Sequence, residues 1–354
     1  MSAQLRVLQL VSRDDVGGVR VLSEMIGEGL AREGASVETL ALIGGSGAGK
    51  IGHLLRVVAR VASGRYDAIF AYHAAASVVA GTVGAIAGVP HRLSHLTAIP
   101  SAIRPHWRAL DRMVGSLGGY SAIIANSTPT AAAFAAYPAA YRERMRLIPH
   151  GVPPLPGGET VDWRQRLGVV SGRRLLVASG RLTAQKDFAT AIRALALLPD
   201  VELAIAGDGE QREMLLGLAA ELGVAGRLHL VGSLSRSMLR SFLAAGDCYV
   251  FPSVWETFGL AAVEAQMLGL PIIATDLPVL AEVLGTGQLV RFHPVGDAVA
   301  LAAAVGETLA HPADAAARSA AVQAATASHS VAGMIREYLA VLSPSAEPSL
   351  EPSR

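Results

Sequence analysis

Residues 150–159 read His-Gly-Val-Pro-Pro-Leu-Pro-Gly-Gly-Glu, a run that suits neither strand nor helix, because proline removes backbone donors and paired glycines leave the chain unrestrained. On both sides of it, short Val/Ile/Leu-rich runs alternate with longer stretches of helical period. Before it the strand runs lie at 5–11, 36–43, 67–72, 91–96, 121–125 and 146–149; after it they lie at 174–179, 201–206, 227–231, 248–251, 271–274 and 288–291. Apolar strands separated by helices mark parallel sheets covered on both faces. The expected fold class is α/β, with two doubly wound domains facing each other across a cleft and the Pro/Gly run as their linker. The expected division is 1–150, then 151–342, then a Ser/Pro/Glu-rich tail at 343–354 that is expected to be disordered.

Composition agrees with this division and excludes several classes. A chain of 354 residues with 51% hydrophobic and 17% charged residues can bury two cores of ordinary size. Its net charge of +1 lacks the concentrated basic surface that nucleic acid requires, so no nucleic-acid partner is expected. The single cysteine, Cys248, rules out an internal disulfide framework and fits a reducing compartment. Residues 1–11 read as a first strand rather than a signal peptide, and the weakly polar run 74–90 is too short to span a membrane, so a cytoplasmic location is expected.

In such sheets ligands gather outside the carboxyl ends of the strands, so the loops after the strands carry the chemistry. Residues 44–50, GGSGAGK, satisfy the spacing of a phosphate-binding loop, but Ile51 stands where a magnesium-holding hydroxyl is needed. In the first strand-to-helix turn, Gly17 and Gly18 allow a ligand close to the backbone at a helix start. The run 179–188, SGRLTAQKDF, places Arg181 and Lys186 after the first strand of the second half. A planar fork and a compact charge together suit a diphosphate, although a solvated surface pair explains the residues equally well. Most informative is 251–264, FPSVWETFGLAAVE, in which a buried strand ends, a loop follows and a helix starts near Phe258 and Gly259. Glu256 and Glu264 are poor neighbours for a diphosphate unless they accept hydrogen bonds from sugar hydroxyls. Two acids with two cations therefore point to a nucleotide-sugar site.

The pattern Gly-Arg-Leu-x4-Lys, followed by Glu-x7-Glu inside PS-x2-E-x-FG, resembles the GT4-like glycosyltransferases of GT-B fold, whose two domains are Rossmann-like. IPHGV at 148–152, AGDGE at 206–210 and VGSLSRSML at 231–239 follow in the family's order, and the resemblance spans residues 5 to about 340. The resemblance implies retaining transfer of a sugar from a nucleotide-diphosphate donor to a saccharide or lipid-linked acceptor in polysaccharide or glycolipid assembly, with no cofactor and no obligatory metal. It implies that Arg181 and Lys186 bind the diphosphate, Glu264 the ribose and Glu256 the transferred sugar. The backbone at Thr257, Phe258, Gly259 and Leu260 would cradle sugar and phosphate, and Gly232, Ser233 and Leu234 would lie beside the base.

In the first half, 92–97, RLSHLT, resembles a strand end that carries two histidines in polysaccharide-assembling relatives. His95 keeps the first and is a candidate catalytic residue against a structural histidine; Thr97 replaces the second, and His73 has a similar location. Arg104, His106, Trp107 and Arg108 form a cluster that in this family can meet an anionic membrane, which would put the protein at its inner face; an ordinary amphipathic helix is the alternative. The rival functions are a GT-B-like nucleotide-sugar epimerase, a non-catalytic donor-binding partner and a dinucleotide-dependent dehydrogenase. The last lacks a GxGxxG with its acid in either half.

Overall fold

The computed structural model describes residues 4–13, 18–44, 49–158 and 160–343. They form two units, one of residues 1–151 with 329–354 and one of residues 152–328.

The first unit holds a six-stranded parallel sheet. Its strands are β1 (Arg6–Arg13), β2 (Ser36–Ile43), β3 (Ala68–Tyr72), β4 (His91–His95), β5 (Ala122–Ala125) and β6 (Met145–Leu147), in the order β2-β1-β3-β4-β5-β6. Along β1, Val7 and Val11 enter one apolar cluster while Leu8 and Leu10 enter another, so alternate side chains serve opposite faces and both are covered by helices.

The second unit repeats the plan with β7 (Arg174–Ser179), β8 (Val201–Ala206), β9 (Leu228–Gly232), β10 (Cys248–Phe251), β11 (Ile272–Thr275) and β12 (Val290–His293), in the order β12-β11-β10-β7-β8-β9. Again Leu175 and Val177 face one cluster and Leu176 and Ala178 the other. The expected fold class holds in both halves.

The domain division differs from the expected one. The helix Val331–Leu342, expected in the second domain, buries Met334, Ile335, Tyr338 and Leu342 in the core of the first unit. Glycine makes its close approach possible at two points: a Cβ on Gly29 would lie 2.5 Å from the Ile335 side chain, and one on Gly151 would lie 2.4 Å from the Val331 Cα. The Gly151 N–H also points at the Met334 sulfur at 3.2 Å. Sequence periodicity does not encode which sheet receives the apolar face of a helix. Residues 344–354, most of the expected tail, lie outside the described residues, as does Gly17. Among the described residues, no helix is long and apolar enough to cross a membrane.

Candidate functional site

In the second unit the chain starts at the middle of the sheet with β7, builds outward through β8 and β9, then returns to build β10, β11 and β12 on the other side. The loops after β7 and β10 therefore diverge at the switch point, where a parallel sheet leaves room for a ligand. Both charged motifs lie there.

The loop after β7 carries Gly180, Arg181, Gln185 and Lys186, and ends where Asp187 caps the helix Phe188–Ala196 by accepting from the Thr190 N–H. It is tied to the loop after β10 by backbone and side chain. The Val254 N–H donates to the Gln185 carbonyl at 2.8 Å, and Gln185 Nε2 donates to the Trp255 carbonyl at 3.0 Å. Held in this way, Lys186 Nζ donates to Glu256 Oε1 at 2.5 Å and lies 4.6 Å from the centroid of the Phe251 ring. The pair is largely withdrawn from solvent, with side-chain exposures of 17% for Lys186 and 9% for Glu256. Arg181 is exposed on the same loop.

The loops after β7, β8 and β9 lie against one another through glycine. Gly207 has φ 148°, and a Cβ there would fall 1.9 Å from the Gly180 carbonyl oxygen. The Gly207 N–H donates to the Gly232 carbonyl at 2.8 Å, fixing Gly232 at the end of β9, with Ser233 exposed and Leu234 half-buried after it. After β10, Thr257 is half-buried and the Phe258 side chain lies in the core, so Phe258 offers only its backbone. Gly259, at φ 92°, turns the chain into the helix Leu260–Gln266; a Cβ there would meet Leu280 at 2.8 Å.

Glu264, on that helix, is 9% exposed and accepts from Arg236 Nη1 at 2.7 Å. Burial pushes its carboxyl above the usual range, and the Arg236 guanidinium only partly counters this. Arg236 opens the helix Arg236–Ala244, and Arg236 Nη2 also reaches the Pro153 carbonyl at 3.4 Å. The structure thus brings Lys186 to Glu256 and adds Arg236 to Glu264. Arg236 escaped the reading of the sequence, although it stands two residues beyond Leu234. The signal was a cation at a helix start just after the carboxyl end of a strand.

In the first unit, His95 is 3% exposed. Its Nδ1 meets the Ala71 carbonyl at 3.1 Å, its ring stacks on Tyr72 with 4.5 Å between centroids, and Tyr338 of the helix Val331–Leu342 lies beside it. Burial pushes its pKa down to about 4, so the ring is neutral at ordinary pH. His73 has φ 73°, unusual for a residue with a Cβ, and its Nδ1 meets Thr97 Oγ1 at 2.8 Å. Thr97 is thus a partner of His73. Gly18 begins the helix Gly18–Arg32.

Residues 160–326 match the protein family described as "Glycosyl transferases group 1". A D-inositol 3-phosphate glycosyltransferase from Mycolicibacterium gilvum is 36% identical over 191 residues, 51% of this chain and 42% of that protein. A lipopolysaccharide core biosynthesis glycosyltransferase, LpsE of Rhizobium meliloti, is 33% identical over 147 residues, 42% of this chain and 43% of that protein. The chain spans about two-fifths of the length of the curated relatives it matches. Among solved structures, HepE of Anabaena in complex with UDP-glucose superposes with a TM-score of 0.83 over 96% of this chain and 99% of that one, at 23% identity. The fold is therefore that of the GT-B glycosyltransferases.

Proposed function

We propose, on the premise that residues 160–326 belong to the group 1 glycosyl transferases, that this protein moves a sugar, with retention of anomeric configuration, from a nucleoside-diphosphate donor to a saccharide or lipid-linked acceptor. The observation that carries this reading is the pair of half-satisfied carboxylates, Glu256 on Lys186 and Glu264 on Arg236, at the carboxyl end of one parallel sheet. Each uses one oxygen on a cation, and the second oxygen of each accepts no hydrogen bond from the described residues. Such oxygens suit hydroxyl donors. The HepE structure with UDP-glucose supports a nucleotide sugar as the donor, and the curated relatives' names support glycosyl transfer.

Glu264 accepts from the ribose, Glu256 from the transferred sugar, and Gly232, Ser233 and Leu234 lie beside the base. Lys186 and Arg181 face the diphosphate, together with the backbone from Thr257 to Leu260. As the glycosidic bond breaks, negative charge grows on the leaving phosphate oxygen, and cations already fixed in place stabilise it without reorganising. Before the donor arrives, Glu256 neutralises Lys186; phosphate takes over that role when the donor binds. Because each acid is held by a cation, neither is poised as the free acid or base that an epimerase needs. The burial of His95 beside Tyr72 and Tyr338 favours the structural reading of this histidine over the catalytic one.

The helix Pro105–Ser116 supports peripheral membrane contact at the cytoplasmic face. Arg104, Arg108 and Arg112 are exposed beside Met113 at 51% and Leu117 at 80% exposure.

The test is a thermal-shift screen against UDP, GDP, ADP and TDP and their sugar conjugates, repeated on Arg181→Ala and Lys186→Ala. A selective stabilisation lost in the variants supports the reading and identifies the base. A wild type that no nucleotide stabilises at millimolar concentration overturns it.

A further inference from the structure

We propose that Arg236 is a positioning residue of this site: its guanidinium keeps the buried Glu264 carboxylate ionised and turned so that the second oxygen stays open to a nucleoside hydroxyl. The inference rests on the reading of Glu264 as the ribose acceptor and gives a role to a residue that lies inside the run 231–239 but had none assigned to it.

The geometry is specific. A carboxylate withdrawn from water is costly unless a cation and hydrogen bonds compensate, and among the described residues Glu264 has a single compensating group. That group is held from two sides. Arg236 Nη1 bonds Glu264 Oε1 at 2.7 Å while Nη2 bonds the Pro153 carbonyl at 3.4 Å. The Ser235 side chain caps the helix that carries it by accepting from the Met238 N–H. A planar fork bound at two points has its own orientation fixed and so fixes where one oxygen of the carboxylate lies, which a lysine cannot do.

The charged and titratable groups on elements packed near Glu264 are few. Tyr249 of β10 feels both Glu264 and Glu256, and its phenol is bonded to Ser179. Glu282 lies on the helix Pro278–Leu284 and Arg318 on the helix Ala315–Ser328, both packed against the helix of Glu264. The influences on Glu264 itself are burial, which raises its pKa, and Arg236, which lowers it. Remove Arg236 and burial acts alone, so the carboxyl holds its proton to higher pH. A protonated Glu264 offers fewer acceptor sites to the ribose, and the loss is worst in acid.

The experiment is calorimetric titration of the full chain with UDP, GDP, ADP and TDP from about pH 6 to about pH 9, with the nucleotide that binds tightest carried through the variants. The wild type, measured alongside, accounts for protonation of the nucleotide's own phosphate. Arg236→Gln is expected to bind about tenfold or more weakly near pH 6 and to regain most of that loss near pH 9. Arg236→Lys, which keeps the charge, should follow the wild-type pH course. Arg236→Gln with Glu264→Gln should bind weakly throughout. An Arg236→Gln curve parallel to the wild type, or coincident with it, overturns the proposal. If that variant does not fold, the double variant, which leaves no unpaired buried charge, decides instead: wild-type affinity in it overturns the proposal. A wild type that binds none of the four nucleotides overturns the donor-site reading and this inference with it, whereas normal wild-type binding beside a parallel Arg236→Gln curve removes only the inference.

Discussion

The two ends of the second unit's sheet use buried carboxylates in opposite ways. At the amino end, Asp247 accepts from the Leu175 N–H at 2.7 Å, from Arg164 at 2.6 Å and from Arg174 at 3.1 Å. Glu202 accepts from the Val170 N–H at 3.0 Å and from His229 at 2.8 Å, with Arg173 at 3.6 Å. Both oxygens of both acids are engaged. Burial works to raise these two carboxyls, but the backbone and side-chain donors outweigh it and hold them below the usual range. At the carboxyl end, among the described residues, Glu256 and Glu264 each receive one side-chain cation and no backbone N–H, and Glu264 is pushed the other way. A carboxylate saturated by the chain is part of its structure, whereas one left half-satisfied keeps an acceptor oxygen open, as the proposed function requires.

The largest effect that could break this contrast is on turnover. Lys186→Ala should lower sugar transfer about 100-fold to 1,000-fold, as removal of a preorganised charge partner does, with kcat/KM as the measurement. Activity near the wild-type level would place the chemistry elsewhere. Next, Asp247→Asn should cost about 2–3 kcal/mol in denaturant unfolding while leaving nucleotide Kd unchanged, because it touches only the structural end. A changed Kd would show that the two ends are coupled.

The pH courses should also diverge. Asp247 and Glu202, depressed in the folded state, contribute stability that is present above their unfolded pKa near 4 and is lost as pH falls through their folded values. Glu264, raised in the folded state, has the opposite sign, and its ionisation opposes folding as pH rises through its folded pKa. Glu264→Gln should therefore gain stability relative to wild type between about pH 5 and pH 8 while losing nucleotide affinity, as seen by denaturant midpoints and calorimetry. The smallest effect is that of His229→Gln, which still offers Glu202 a neutral donor and should cost less than about 1 kcal/mol.

Much of this was legible in the sequence for a physical reason. Strand and helix periods are local, so all twelve strands were read close to their observed positions, and the glycines and charges of the loops after β7 and β10 fell where a parallel sheet must put them. Partnership is not local. Lys186 and Glu256 stand 70 residues apart and Arg236 and Glu264 stand 28 apart, so the pairing depends on strand order, which periodicity does not encode. His95 illustrates the same limit. Its place at a strand end was evident, but the Tyr72 and Tyr338 rings that enclose it come from elsewhere in the chain.

The return of residues 331–342 to the first unit bears on how the protein is made. The sheet that β1 opens cannot be fully covered until the ribosome has passed through the whole second unit, because Met334, Ile335 and Tyr338 close a core begun by Val7 and Phe70. Synthesis therefore produces the two units in one order and completes them in the other, and a chain released near residue 328 would carry a complete second unit after a first unit with an open apolar face.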